Sequence, residues 1–86
     1  MTTPLHVATV PHAGKLWDAY LELDPDPHRP DVCRARLRFD CADDEQAGKM
    51  VRTAVIIIED SYEQAVHKAR GFDDRQLEGL LRSALP

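Results

Sequence analysis

Three arginines alternate with apolar residues in the run Val32 to Cys41, V-C-R-A-R-L-R-F-D-C. On an extended strand Arg34, Arg36, Arg38 and Asp40 share one side, and Cys33, Ala35, Leu37, Phe39 and Cys41 share the other. Side chains two apart stand about 6.6 Å apart, near the phosphate spacing of a single nucleic-acid strand. The row therefore has the geometry of an anion- or oligonucleotide-binding surface, with Arg52 as a further cation and Tyr20 as its stacking ring. The competing reading is internal. Acids on a neighbouring strand pair with the arginines, a cross-strand device worth a few tenths of a kcal/mol. The net charge of −4 favours the internal reading, because phosphate neutralisation usually needs a basic domain. So does the single aromatic residue, since nucleic-acid-binding sheets generally present two or more.

Other residues with chemical potential fall short of a constellation. His6, His12, His28 and His67 include no pair at the i, i+4 spacing of a helical metal site, and two cysteines cannot make a tetrahedral thiolate set. Asp40, Asp43, Asp44 and Glu45 cluster, but without the D-x-D-x-D-G pattern and distal glutamate of a calcium loop. They read as a solvated acidic connection. Cys33 falls on the apolar face, where a thiol is inert. Ser61 is committed to capping a helix, and Ser83 sits near the end of one. The H-A-G-K run around Lys15 lacks the glycine spacing and following helix of a phosphate loop. We expect no catalytic constellation, no cofactor and no metal.

The elements that carry these residues follow from periodicity. Leu5 to Val10 is a short candidate strand between Pro4 and Pro11, and Pro11-His12-Ala13-Gly14 reads as a turn. Lys15 to Leu23 alternates, with Trp17, Ala19, Leu21 and Leu23 opposed to Asp18, Tyr20 and Glu22. The proline-punctuated run Asp24 to Asp31 cannot continue a ladder and is a loop. The two alternating strands thus form a hairpin. Pairing Glu22 with Arg34, Tyr20 with Arg36, and Asp18 with Arg38 matches both faces at once, and sets Trp17 opposite Phe39. In that register Arg36, opposite Tyr20, is the least neutralised arginine. Cys33 and Cys41 then lie roughly 26 Å apart on one strand, too far for a disulfide. They are expected as small buried hydrophobes in a reducing compartment.

After the acidic connection Ala42 to Met50, Arg52 to Ile58 predicts a third strand, apolar on both faces through Val55, Ile56, Ile57 and Ile58. Ser61 with Gln64 starts one helix, whose stripe is Tyr62, Ala65, Val66 and Ala69 and which Gly71 stops. Asp73 with Gln76 starts a second, whose stripe is Leu77, Leu80, Leu81, Ala84 and Leu85.

Residues 1–86 are expected as a single α+β domain of order βββαα. Its antiparallel sheet has three strands, or four if the N-terminal segment joins, with two C-terminal helices packed on one face. The chain has no apolar run near the ~20 residues of a membrane span and no signal-peptide pattern at its start, so a cytoplasmic location is expected. If Ala54, Ile56 and Ile58 point at the helices, Thr53, Val55 and Ile57 need cover on the other side. That cover is either the segment Leu5, Val7, Val10 or a second copy of the chain. Burying two such side chains stabilises by roughly 3–5 kcal/mol, so a homodimer through Thr53, Val55 and Ile57 is expected. The expected function is that of a non-enzymatic, homodimeric protein-interaction or regulatory module. The alternative is an anion- or oligonucleotide-binding domain using Arg34, Arg36 and Arg38.

Overall fold

The computed structural model describes residues 4–42 and 49–86. The acidic group Asp43, Asp44 and Glu45 lies outside the described residues. Five antiparallel strands, β1 (Leu5–His12), β2 (Lys15–Leu23), β3 (Cys33–Cys41), β4 (Met50–Arg52) and β5 (Ile57–Glu59), precede helices α1 (Tyr62–Arg70) and α2 (Asp74–Ala84). The fold is α+β with both helices C-terminal, and the N-terminal segment is a full strand of the sheet. β1 pairs with β2, β2 with β3, and the other side of β3 takes β4 and β5 in turn.

β1 and β2 are joined by a two-residue turn, Ala13-Gly14, with φ of 53° and 77°. Two successive left-handed residues are the backbone that matches the twist of a tight hairpin. The turn is therefore tighter than the Pro11 to Gly14 stretch that sequence indicates. β1 skips one residue between His6 and Ala8, which brings Val7 as well as Val10 onto the core side.

In the β2–β3 hairpin the faces are as alternation predicts, but the register is displaced by two residues. Leu21 pairs with Leu37, Ala19 with Phe39 and Trp17 with Cys41, so Trp17 and Phe39 share a face as diagonal neighbours. A shift of two preserves every inward and outward assignment, which is why the pattern could not choose between the registers.

The third apolar segment is two short strands. Three steps along β3, from Arg38 to Ala35, correspond to five along the partner, from Arg52 to Ile57. The two extra residues are taken up between Thr53 and Ile56. Thr53 holds this break: its backbone N–H donates to the Leu37 carbonyl, and its hydroxyl accepts from the Leu37 N–H at 3.1 Å. A side-chain oxygen thus occupies the place of the missing ladder carbonyl.

Its inward parity is opposite to the expected one. Ile57 is 1% exposed and packs with Leu21, Ala35, Ala65 and Ala69. Ile56 and Ile58 point away, 37% and 59% exposed. Of the expected dimer surface, Ile57 is therefore core, Thr53 is engaged with the β3 backbone, and Val55 is half-buried. Nor does the N-terminal segment cover this strand from outside. β1 is at the other edge of the sheet, and Leu5, Val7 and Val10 pack into the helix-side core.

Both helices start as their sequences dictate. The Gln64 N–H donates to the Ser61 hydroxyl at 3.1 Å, while the Gln64 side chain reaches back to the Asp60 N–H. Asp73 and Gln76 form the full reciprocal box. α1 buries Ala65 and Ala69 over β3 and β5, whereas Tyr62, expected in the stripe, is exposed. α2 buries Leu77 and Leu81 among Val10, Trp17, Leu37 and Phe39. Phe72, between the helices, packs against both groups and joins them into one helix-side core.

Candidate functional site, the open face of the sheet

Among the described residues no helix covers the other face of the sheet, and that face holds the sequence-predicted arginines. The observed register builds a charge lattice around Glu22. Its Oε1 accepts from Arg36 Nε at 2.9 Å and from Arg52 Nε at 2.8 Å, and Arg38 Nη1 lies 3.5 Å from its Oε2. The arginines come from β3 and β4, two strands on the same side of Glu22, so only the assembled sheet makes the convergence. Burial pushes the Glu22 carboxyl up. The hydrogen bonds from Arg52 and Arg36, together with their charges, outweigh that and hold it below its ordinary value of 4.5.

Arg38 makes two further contacts. It forks Asp40 through Nε at 3.0 Å and Nη2 at 3.2 Å, and its guanidinium lies 4.8 Å from the centre of the Tyr20 ring. Tyr20 meets the His6 ring edge-on at 5.3 Å. His6 and the Thr9 hydroxyl both contact Asp18 Oδ1, at 3.0 and 2.9 Å. Arg34 pairs with Asp26 of the proline-rich loop at 3.3 Å, and its Nε is buried with no hydrogen-bond partner among the described residues.

This geometry corrects the expectation for Arg36. It faces Glu22 and is hydrogen-bonded to it, and it is Arg38 that faces Tyr20. Arg34, Arg36, Arg38 and Arg52 each have a carboxylate partner. The register also sets Asp18 directly opposite Asp40. Two like charges at that position are unfavourable, and each is answered by its own partners, His6 and Thr9 for Asp18 and Arg38 for Asp40. The sequence singles out every arginine and Tyr20 but pairs Glu22 with Arg34 and Asp18 with Arg38; in the shifted register Glu22 instead gathers Arg36, Arg38 and Arg52, and Arg34 pairs with Asp26.

Beside the lattice the face is apolar. Ile56, just before β5, and Ile58 within it line one side, with Ile58 directly opposite Arg34, and Met50 of β4 is opposite Asp40 of β3. Leu16 is exposed at the start of β2. Cys33 and Cys41 are both free, and burial pushes the Cys33 thiol up. Among the described residues no group of three or more His, Cys, Asp or Glu is placed to hold a metal ion, and no helix is long and apolar enough to cross a membrane. No family model, curated protein or solved structure matches this chain.

Proposed function

We propose that this chain is a non-enzymatic protein-interaction module that works as a homodimer. The carrying observation is the exposure of Ile56 and Ile58 on a sheet face that no helix covers among the described residues. An apolar patch left exposed on a sheet face is a contact surface for a partner. Free thiols on a single strand suit a reducing, cytoplasmic setting.

The test is a sedimentation series. Wild-type protein should dimerise at tens of micromolar, an affinity of the order expected for a small interface. Ile58→Glu should shift the mass to monomer. A wild-type protein that stays monomeric at millimolar concentration defeats the reading.

The pairing of each arginine of the row weighs against the oligonucleotide alternative. In fluorescence anisotropy at 0.15 M salt, mixed-sequence single-stranded DNA and RNA should show no saturable binding below about 10 micromolar, within the range of purely electrostatic affinity. Saturable binding lost in Arg36→Glu would restore that alternative.

A further inference from the structure

We propose that the pocket between the β1–β2 turn and the end of α2 binds a small apolar monocarboxylate, with its hydrocarbon against Trp17 and its carboxylate at Lys15 and Lys49. This site is separate from the open face and does not depend on self-association.

The pocket follows from where the strands and α2 end. Lys15 precedes Trp17 by two residues on β2, and His12 is paired with Lys15. Both therefore continue the helix-side face beyond the indole. Lys49 reaches the same end from the other side of β3. Its carbonyl accepts from the N–H of Cys41, the residue opposite Trp17. α2 stops at Ala84, and Leu85 just past it still packs on the core. Between these residues lies a cavity of about 300 Å³, lined by His12, Ala13, Lys15, Trp17, Lys49 and Leu85.

Its lining divides into two chemistries. Trp17, 4% exposed, forms the apolar wall with Leu85 and Ala13. The other three lining residues are basic in type, and none is acidic. Each arginine of the open-face row has a carboxylate partner. Among the described residues neither Lys15 nor Lys49 makes an ion pair. Glu78, which holds His12 at 3.4 Å, is not part of the lining. In a chain of net charge −4, two cations thus flank an indole with no acid between them.

An apolar wall with a few convergent polar groups is the usual make-up of a small-molecule site, and the volume is at the lower end of the range for one. At the ~30 Å³ that a water takes up in the liquid, there is room for about ten heavy atoms. Inorganic phosphate has no apolar body to cover the indole, and a plain hydrocarbon leaves the lysines unanswered. A short-chain carboxylate meets both.

Trp17 is the only tryptophan in the chain, so its fluorescence reports occupancy. The experiment titrates the full chain with hexanoate, and with hexanamide as the uncharged counterpart. Hexanoate should change the Trp17 emission saturably, with a Kd of about 1 mM for a ligand of this size, and should bind more weakly as salt rises. Over the same range the backbone amide resonances of His12, Ala13 and Leu85 should shift. Lys15→Met keeps the aliphatic stem and removes the charge. It should weaken hexanoate binding about tenfold, as loss of one charge-assisted contact does, with an unchanged circular dichroism spectrum. No saturation by about 20 mM, roughly twenty times the expected constant, overturns the proposal. So does hexanamide binding as tightly as hexanoate, or a set of shifted amides that lies on the open face instead of at this pocket.

Discussion

At the scale of single residues, Glu22 is the group on which the open face depends, and its protonation has a defined consequence. Its carboxyl titrates below the ordinary value of 4.5 in the folded chain. The stability it contributes is therefore fully present above the unfolded pKa and is lost as pH falls through the folded pKa. Urea titrations should show wild-type protein more stable than Glu22→Gln at pH 7, with the gap closing below pH 4.5. A gap that widens in acid would mean that the carboxylate is not held by Arg36 and Arg52. Thr53 is the other residue with a specific task. Thr53→Val keeps the shape but leaves the Leu37 N–H without its acceptor. An unpaired buried donor costs about 1–3 kcal/mol, so the urea midpoint should fall accordingly, and Thr53→Ser should recover most of it. Nothing in the run R-T-A-V-I-I-I announces this hydroxyl, because its partner is sixteen residues away on another strand.

At the scale of elements, the helices are the part that local sequence determines most completely. Ser61 and Asp73 cap as the spacing to Gln64 and Gln76 indicates. Ser61→Ala should cost about 1 kcal/mol through loss of the cap. Leu81→Ala, at a fully buried position of α2, should cost about 2–4 kcal/mol through a cavity. Equal, negligible losses in urea would mean that α2 is not docked. The strands were legible in face but not in register. Inward Trp17, Ala19, Leu21, Ala35, Leu37 and Phe39 were all assigned by alternation and are buried. Their pairing was displaced by two, and with it the partner of every arginine on β3.

At the scale of the whole molecule, the decisive contrast is between neighbours. Ile57 is buried under α1, and Ile58 is exposed on the open face. Ile57→Glu should unfold the chain, with loss of far-ultraviolet circular dichroism, because it places an unpaired charge in the core. Ile58→Glu should retain the native spectrum and a urea midpoint within the range of surface changes, about 0.5 kcal/mol. The reverse outcome would restore the parity inferred from sequence and make Ile57 the contact residue. A segment apolar on both sides leaves one side exposed whichever way it turns, and here that side carries Ile56 and Ile58.

The sequence by itself determined which residues lie together on each face of β2 and β3, where both helices begin, and that the third segment is apolar on both sides. These are local patterns, carried by period-2 alternation and by caps three residues apart. The tertiary structure alone decided which even-numbered register the hairpin takes, which of Ile57 and Ile58 turns inward, and that Glu22 gathers three arginines from two strands. A shift by two residues leaves alternation unchanged, and a run of β-branched residues has no polar member to mark its outer side. The choice falls to contacts distant in sequence, α1 closing over Ile57 and Thr53 joining β3, which no local window contains.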